Sequence, residues 1–351
     1  MKFVGLLLFP FAFLYGVVIY FRNKLFDIGI IKSEKFKLPI ISVGNLTMGG
    51  TGKTPHIEYL IRLLEKENKL ATLSRGYGRS TKGYLLVDDK ANAESAGDEP
   101  LQYRNKFKDV VVAVDEKRSR GIKTIINTYP ETDIVLLDDA YQHRYLKPGL
   151  SILLTDFYKP FYHDYIVPTG TLREFRAGSK RADIIVVTKS PRVLSPITCK
   201  SMEADMKLLP HQHVYYSYID YGDLVPLNEF SESITTRKFS FILMFAGVAN
   251  PYPMEEQLKT LSDTVEVFKF PDHYQYKIKD IQKIKDHFEL TFPKNKVIIT
   301  TEKDAMRIKG TNLEELFVNL PIFYIPIEIK LHKKDKEKFD KQILNYVREN
   351  N

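Results

Sequence analysis

Short apolar runs alternate with stretches of helical periodicity along most of the chain. Residues 38–43 form one such run and are expected to be a buried strand, and apolar residues then recur at the spacing of one helix face, at Ile57, Leu60, Ile61 and Leu64. Because strands and helices alternate, the pattern predicts an α/β fold with a mostly parallel sheet flanked by helices. The sequence shows no internal repeat and no low-complexity tract.

The alternation runs in two series. In the first, strands are expected at residues 71–74, 84–87, 110–114, 134–137, 152–154 and 184–188, and helices near 99–107, 117–128 and 200–208. In the second, strands are expected at 239–245, 265–268, 297–300 and 323–327, and helices at 253–261, 278–288 and 333–347. Between them a Tyr-rich stretch gives way to polar residues. We therefore expect a nucleotide-binding domain over residues 29–222 and a smaller α/β domain over residues 223–351.

The N-terminal residues 3–21 contain no charged side chain. As a helix this run is about 28 Å long, close to the hydrocarbon thickness of a bilayer. Arg22 and Lys24 follow at once, and basic residues on this side indicate a cytoplasmic location for the rest of the chain. We expect residues 1–28 to be a membrane-associating helix that either spans the bilayer or lies at its surface. A cleaved signal peptide and a helix buried in the protein core are the alternatives.

The loop after the first expected strand has the composition of a phosphate-binding loop. Gly49, Gly50 and Gly52 let several backbone N–H groups converge on phosphate oxygens. Lys53 can reach the terminal phosphates, and the hydroxyl of Thr54 can ligate Mg²⁺. The order of strand, loop and helix is the context that this chemistry requires. The sequence therefore predicts ATP or GTP bound with Mg²⁺, and the alternative is a Gly-rich turn that binds no ligand.

A second apolar run, residues 134–137, ends in the paired carboxylates Asp138 and Asp139. An acid at the carboxyl end of a strand can hold Mg²⁺ directly or through water in a phosphate-loop protein. Gln142 and His143 follow closely and could orient substrate or nucleotide. The alternative is that the two acids cap the next helix.

Three further segments carry side chains suited to catalysis or phosphate contact. Asp98 and Glu99 precede an expected helix, where acids are also common as helix caps. His273 lies in a loop, and a kinase acting on an alcohol needs a proton acceptor near neutral pH, although loop histidines are usually surface residues. Arg75 and Arg79 place two guanidinium groups on a glycine-rich loop, where they are suited to phosphate or sugar contact or to solvent.

Composition narrows the class of protein. The hydrophobic and aromatic content of the 351 residues excludes a disordered chain. The formal net charge of +8 and the isoelectric point near 9.1 favour anionic partners, which include phosphorylated substrates, nucleic acid and acidic membranes. The single cysteine, Cys199, excludes an internal disulfide framework and indicates a reducing compartment.

Taken together, these motifs resemble the tetraacyldisaccharide 4'-kinases of lipid A biosynthesis. The resemblance spans nearly the whole chain and rests on these segments in order: residues 43–55, 74–78, 97–100, 137–143, 170–174, 270–273 and 301–304. The family has threonine at the first loop position, where the general phosphate-loop pattern has glycine and this chain has Thr47. Two segments depart from the family pattern, since Ala140 and Tyr141 replace Gly-Phe and residues 167–171 replace a Leu-Pro-Ala-Gly-Pro run.

The resemblance also implies roles for individual residues. In the family an aspartate and a histidine act together on the acceptor hydroxyl, and by motif these are Asp98 and His273. Metal contacts are implied for Thr54, Asp139 and Glu174. Nucleotide or substrate contacts are implied for the loop residues Thr47, Gly49, Gly50, Thr51, Gly52, Lys53 and Thr54, and as further candidates for Arg118, Asp138, Gln142 and Arg173. Arg120 is the alternative to Arg118, because no distinct motif fixes the spacing there.

What the family does is implied in the same way. The expected reaction is phosphorylation, by MgATP, of the 4'-hydroxyl of a lipid-linked glucosamine disaccharide 1-phosphate at the cytoplasmic face of the bacterial inner membrane. The expected partners are this lipid A precursor and the inner-membrane lipids. Neither nucleic acid nor an obligate protein partner is expected.

Other functional classes fit the sequence less well. A membrane-recruited partitioning ATPase also joins a glycine-rich loop to membrane attachment, but its loop has a lysine where Met48 stands. A GTPase or a metal chaperone of this type requires an aspartate two residues after Lys189 for guanine recognition, and Pro191 occupies that position. A lipid-binding module without catalysis leaves the magnesium loop unexplained. We therefore favour an ATP-dependent kinase.

Overall fold

A computed structural model describes residues 2–236, 238–272, 274–292 and 294–350, with side chains from Leu8 onward. The chain forms two compact units. The first comprises Met1–Lys90, Tyr103–Ile219 and Ile329–Asn351, and the second comprises Ala91–Gln102 and Asp220–Glu328.

Helices and strands alternate, as the hydrophobic pattern predicts. The helices are α1 Lys2–Asp27, α2 Lys53–Leu64, α3 Ala93–Ala96, α4 Asp98–Lys106, α5 Arg118–Thr128, α6 Pro196–Met206, α7 Glu229–Glu232, α8 Tyr252–Leu258, α9 Ile278–Leu290, α10 Glu302–Ile308 and α11 Lys333–Asn350. The strands are β1 Ile40–Asn45, β2 Leu70–Ser74, β3 Leu85–Leu86, β4 Val111–Val114, β5 Ile134–Asp138, β6 Leu150–Asp156, β7 Ile184–Thr188, β8 His213–Tyr221, β9 Val225–Pro226, β10 Phe241–Ala246, β11 Val265–Lys269, β12 Lys296–Thr301, β13 Ile322–Ile325 and β14 Ile327–Leu331.

The first unit is built on a large sheet whose described strands run in the order β14-β8-β7-β6-β1-β5-β2-β4-β3. From β8 through to β4, each strand in this order pairs parallel with the next, and β3 pairs antiparallel with β4. All six residues of β1 are buried, which is expected for a central parallel strand covered on both faces. The carboxyl ends of β1 and β5, which carry the predicted nucleotide-site residues, are adjacent because these strands pair directly.

The second unit has its own sheet, in the order β11-β10-β12-β13-β9. Its four longer strands are parallel, and the short β9 pairs antiparallel with β13. Separate apolar clusters cover this sheet, one around Phe245, Ile281 and Ile298 and the other around Met244 and Leu258. The second unit therefore has a hydrophobic core of its own.

The predicted fold class is confirmed: the chain is α/β with a large, mostly parallel sheet, a smaller α/β part and a helix at the N-terminus. The compact units divide the chain differently from the expected domains at two places. Residues 91–102 group with the second unit, and the C-terminal helix α11 groups with the first. Side chains explain the second difference, because Tyr346 hydrogen-bonds the backbone of Ile40 and Asp340 accepts a hydrogen bond from Tyr59. The expected limits 29–222 and 223–351 therefore stay a prediction about domains.

The N-terminal helix α1 has two different faces. One face packs on the first unit through Ala12, Gly16 and Phe26, which are buried. The other face exposes large apolar side chains, namely Phe9, Phe11, Phe13, Leu14, Val18 and Phe21. In the described part of the chain, no helix has the combination of length and apolar character needed to cross a membrane.

Candidate active site

The glycine-rich loop joins β1 to α2, as predicted. Gly49 has a φ of 112° and Gly52 a φ of 84°, so the loop uses the left-handed backbone region that favours glycine. The N-terminus of α2 follows Gly52 directly, and its first backbone N–H groups have no partners within the helix. The segment 171–173 holds the start of the loop, because Met48 N–H donates to the Thr171 carbonyl and Arg173 N–H to the Leu46 carbonyl, both at 2.7 Å.

The donors in this loop fit a polyphosphate. A Cβ added at Gly49 or Gly50 would meet no atom within 4 Å, so the backbone there is open to a close ligand. Thr51 is only 4% exposed, and its hydroxyl has no hydrogen-bond partner among the described residues. A buried polar group of this kind normally has a partner, and a phosphate oxygen would supply one. Lys53 lies at the end of the loop, where its ammonium group adds positive charge.

Lys53 is held by contacts longer than those of an ordinary ion pair. Its Nζ is 3.5 Å from Oδ1 of Asn45 and 3.7 Å from Oδ2 of Asp139. Arg173 contacts the same carboxylate through Nη1 at 3.0 and 3.1 Å. Burial raises the pKa of Asp139, but Lys53 and Arg173 outweigh this effect and the pKa is lowered. Asp139 is therefore a carboxylate at neutral pH, next to the lysine of the phosphate loop.

The paired acids after β5 point to different partners. Asp138 is buried and accepts a hydrogen bond from the hydroxyl of Tyr103 at 2.9 Å. Asp139 has a left-handed φ of 50° and turns toward Lys53 and Arg173. Because their surroundings differ, the two carboxylates are expected to have different functions. The geometry favours Asp139 as the acid that faces the phosphate loop.

Gln142 and Glu174 extend this cluster. Gln142 Nε2 donates to the Asn45 carbonyl at 2.8 Å and lies 3.3 Å from Oε1 of Glu174. Glu174 is buried, and Arg181 contacts both of its carboxylate oxygens, at 2.8 and 2.9 Å. Its role as a metal contact stays a prediction, since the observed contacts fix its carboxylate on Arg181.

Arg118 and Arg120, between which the sequence could not choose, have different surroundings. Arg120 is half exposed and pairs with Asp115 at 2.7 and 2.8 Å. Arg118 is 2% exposed, and its Nη2 is 3.5 Å from the Asp138 carbonyl, while its Nε has no partner in the described ranges. Burial lowers the pKa of Arg118 to about 10, so it remains a cation at neutral pH. Arg118 is thus the one of the two whose guanidinium lies beside the acids after β5, and its role as a phosphate contact stays a prediction.

Two neutral histidines border the site. Burial lowers the pKa of His143 to about 4, with Arg118 and Arg75 adding to the effect. Burial also lowers the pKa of His56 to about 4. The ring of His56 lies 2.6 Å from the Gly52 carbonyl through Nδ1 and 3.0 Å from Oγ of Ser217 through Nε2. His56 therefore fixes the last glycine of the loop, a contact that the sequence did not predict.

Lys189 is a second residue that the sequence did not assign to this site. Its Nζ donates to the Gly50 carbonyl and to Oδ2 of Asp156 at 2.8 Å. The residue has a left-handed φ of 57° directly after β7. A Thr-Lys pair at the end of an expected strand was the available signal for this residue. In the sequence, that pair bears only on guanine recognition.

Asp98 lies in the second unit, at the first position of α4. It is 7% exposed, and Arg307 of α10 contacts its Oδ2 through Nε at 2.9 Å and Nη2 at 2.5 Å. Asp304 accepts from Nη1 of the same arginine at 2.7 Å and also from the Gly247 N–H at 2.9 Å. Burial lowers the pKa of Arg307, but Asp98 and Asp304 outweigh burial and raise it. The sequence did not predict a role for Arg307, and His273 lies outside the described residues.

Among the described residues, the site offers only a few protein oxygens to a metal ion. Within the described ranges, no group of three or more His, Cys, Asp and Glu side chains could hold a metal ion. Mg²⁺ in nucleotide sites is usually bound by one or two protein oxygens, substrate phosphates and water. The hydroxyl of Thr54 and the carboxylate of Asp139 fit that mode of binding, in which the nucleotide supplies the remaining ligands.

A parallel sheet, a glycine-rich loop ahead of a helix, the lysine at its end and a strand-terminal carboxylate define a phosphate-loop protein that binds a nucleoside triphosphate with Mg²⁺. A family model described as Tetraacyldisaccharide-1-P 4'-kinase, LpxK, matches residues 4–348. The chain belongs to this family.

Similar proteins cover the same length. Tetraacyldisaccharide 4'-kinase of Bacteroides thetaiotaomicron is 42% identical, over 98% of this chain and 93% of the relative. The protein of the same name from Flavobacterium johnsoniae is 44% identical, over 98% of this chain and 97% of the relative. A solved structure of LpxK from Aquifex aeolicus in complex with ATP is 28% identical, with a TM-score of 0.72, and covers 98% of this chain and 99% of that chain.

Proposed function

We propose that this chain transfers the γ-phosphate of MgATP to the 4'-hydroxyl of tetraacyl-glucosamine disaccharide 1-phosphate, a step of lipid A biosynthesis. The observation that carries the proposal is an intact phosphate-loop site in a chain that matches the 4'-kinase family over residues 4–348. Relatives named tetraacyldisaccharide 4'-kinase cover almost the whole chain, and the solved LpxK structure contains ATP.

The nucleotide site divides the work among a few side chains. Backbone N–H groups of the glycine loop bind the phosphates, and Lys53 adds a positive charge at their terminal end. Thr54 and Asp139 hold Mg²⁺, with Glu174 supporting that site. When bound, Mg²⁺ neutralises the negative charge that develops on the phosphate oxygens. Arg118 and Arg173 are further phosphate contacts. Arg118 lies near the Asp138 carbonyl, and Arg173 contacts the Asp139 carboxylate.

The acceptor hydroxyl has to lose a proton during transfer. We assign this step to Asp98 together with His273, following the family motif. Asp98 accepts two hydrogen bonds from Arg307, so its carboxylate is held in one orientation inside the second unit. Holding the carboxylate in one orientation removes the cost of orienting it when the substrate binds, whichever of the two residues takes the proton.

The substrate is a lipid, which gives the apolar face of α1 a function. Phe9, Phe13, Leu14 and Phe21 are each more than half exposed. A surface of this kind is suited to the interfacial region of a bilayer, and the basic net charge of the chain suits acidic lipids. We propose that α1, within residues 1–28, associates with the inner membrane, and that the catalytic part faces the cytoplasm, where ATP is available.

A transfer assay tests the proposal. Purified protein in detergent micelles, with γ-labelled ATP and tetraacyldisaccharide 1-phosphate, should give a labelled lipid that carries a new 4'-phosphate. A Lys53→Ala variant is the control for activity of the site. Hydrolysis of ATP without label in the lipid would contradict the kinase assignment and favour an ATPase. Faster transfer from GTP than from ATP would contradict the nucleotide assignment.

A further inference from the structure

The N-terminal helix is hydrogen-bonded to the nucleotide site through three side chains. The hydroxyl of Tyr15 donates to the Arg173 carbonyl at 2.9 Å. Arg22 Nη2 donates to the Gln142 carbonyl at 2.7 Å. Asn23 Nδ2 donates to Oε2 of Glu174 at 2.9 Å. Each acceptor belongs to a residue that we place in or beside the MgATP site.

These three side chains lie on the helix face that packs against the first unit. Tyr15 and Arg22 are seven residues apart, which is close to two turns, and Asn23 is adjacent. The apolar side chains Phe13 and Phe21 project from other parts of the helix surface and are exposed. One helix therefore presents an apolar surface outward and hydrogen-bond donors toward the nucleotide site.

The residues that accept hydrogen bonds from α1 are themselves in contact with the side chains around the phosphate loop. Arg173, whose carbonyl accepts from Tyr15, contacts Asp139 through its guanidinium group. Glu174, which accepts from Asn23, is also close to the Gln142 side chain. Displacing α1 would therefore remove the donor to the Arg173 carbonyl and one of the two donors to Oε2 of Glu174, which among the described residues would then be held by Arg181 alone.

Further contacts, made by side chains of the first unit, fix α1 in place. Arg144 donates to the Asn23 carbonyl and to Oδ1 of Asp27, both at 2.7 Å, and its guanidinium lies 5.1 Å from the ring centroid of Phe26. At Gly16 the packing is close, because an added Cβ would be 2.6 Å from Cζ of Phe175. The helix thus touches the chain immediately after Glu174 as well.

We propose that α1 is a positioning element of the MgATP site, in which Tyr15 and Asn23 hold the segment of Arg173 and Glu174 in the geometry that binds the nucleotide with its metal. This inference rests on the proposed function of that segment in MgATP binding. Outer partners that orient metal-site residues typically contribute 10- to 100-fold to metal affinity, so we expect an effect of roughly 10-fold. Membrane association and nucleotide binding then depend on different faces of one helix.

The test uses full-length protein in detergent micelles, so that membrane attachment does not limit activity. Asn23→Ala and Tyr15→Phe should raise the Mg²⁺ concentration for half-maximal binding of a fluorescent ATP analogue by roughly 10-fold and 3-fold, respectively. The KM for ATP should rise in the same order, with a smaller change in kcat. Tyr20→Phe on the same helix and Asn345→Ala on α11 are the matched controls and should bind the analogue as the wild type does.

A reciprocal pair of measurements separates the two faces. Phe13→Ser should reduce cosedimentation with vesicles of phosphatidylglycerol and phosphatidylethanolamine and leave the Mg²⁺ dependence unchanged. Tyr15→Phe removes a single hydroxyl group, so its fold is retained even if Asn23→Ala lowers the melting temperature. Unchanged Mg²⁺ and nucleotide affinity in both Tyr15→Phe and Asn23→Ala would overturn the inference.

The outcome is distinguishable from failure of the proposed function. If the wild type does not phosphorylate the lipid but the α1 variants bind the Mg²⁺-nucleotide more weakly, the acceptor assignment fails and the positioning role stands. If the wild type phosphorylates the lipid and the variants bind the nucleotide normally, the kinase assignment stands and the positioning role fails.

Discussion

The phosphate-loop region and the surroundings of Asp98 hold their charged groups in different ways. Lys53 lies 3.7 Å from Asp139 and 3.5 Å from Asn45, distances that leave the ammonium group able to exchange these contacts for a ligand. Arg307 instead contacts Asp98 at hydrogen-bond distance, and both side chains are buried. The first region is arranged to receive negative charge. In the second region, the Arg307 guanidinium balances the negative charge of the Asp98 carboxylate and fixes its orientation.

The largest expected effect tests the first region. Lys53→Ala removes the charge at the terminal phosphates and should lower kcat by about 10³–10⁵-fold, the range that a cation stabilising a transferring phosphate contributes. Lipid phosphorylation measures the loss, and circular dichroism checks the fold. Lys66→Ala, at an exposed lysine, is the control. A folded Lys53→Ala protein with full activity would contradict the assignment of the nucleotide site.

The second prediction tests Asp98 and its proposed partner. Asp98→Ala and His273→Ala should each lower kcat by roughly 10²–10⁴-fold with little change in the KM for ATP, because they act on the acceptor hydroxyl. The double variant should lose much less than the product of the single effects, as coupled residues do. Steady-state kinetics with varied ATP and varied lipid gives these values. Fully multiplicative losses would mean that the two residues act independently.

The third prediction breaks the pairing that distinguishes the Asp98 region. Arg307→Met leaves two buried carboxylates, Asp98 and Asp304, without this cation and should lower the free energy of unfolding by about 3–5 kcal/mol. Arg104→Met is the control, because Arg104 pairs with the exposed Asp89 and should cost no more than about 1 kcal/mol. Urea unfolding measures both. Equal, small losses would show that the buried pair has no special stabilising role.

The fourth and smallest effect concerns the histidine that fixes the phosphate loop. Burial lowers the pKa of His56 from 6.5 to about 4, so the unfolded chain binds a proton more readily than the folded one. Its contribution to stability is complete above pH 6.5 and is lost as the pH falls toward 4. Between pH 7.5 and pH 5 the wild type should lose about 2 kcal/mol more than His56→Asn. Parallel stability curves for the two proteins over this interval would contradict the prediction.

The features that the sequence predicted are those that a short segment specifies. The phosphate loop needs glycines, a lysine and a threonine within a few residues, and the acids after β5 follow directly from an apolar run. For that reason Lys53, Thr54 and the pair of acids could be chosen from the order of residues, while the choice of Asp139 over Asp138 as a metal contact came from the family resemblance. The α/β class could also be predicted, because the periodicity of strands and helices is local.

The features that were missed depend on pairs far apart in the chain. Arg307 meets Asp98 across 209 residues, and Asn23 meets Glu174 across 151 residues. Nothing in the local sequence marks either residue, since an arginine in a helix or an asparagine after an apolar run is usually solvated. The C-terminal helix α11 groups with the first unit for the same reason, because its contacts with Ile40 and Tyr59 are made at long range.

The close fit at Gly16 bears on whether the N-terminal helix is an interchangeable module. A generic hydrophobic anchor from another protein would keep the lipid affinity but would bring a side chain into the space that Phe175 occupies. Such a chimera would be attached to the membrane, but Phe175 would have to move before the helix could dock on its own catalytic unit. Redesign for solubility is accordingly confined to the outward positions, which are Phe9, Phe11, Phe13, Leu14, Val18 and Phe21.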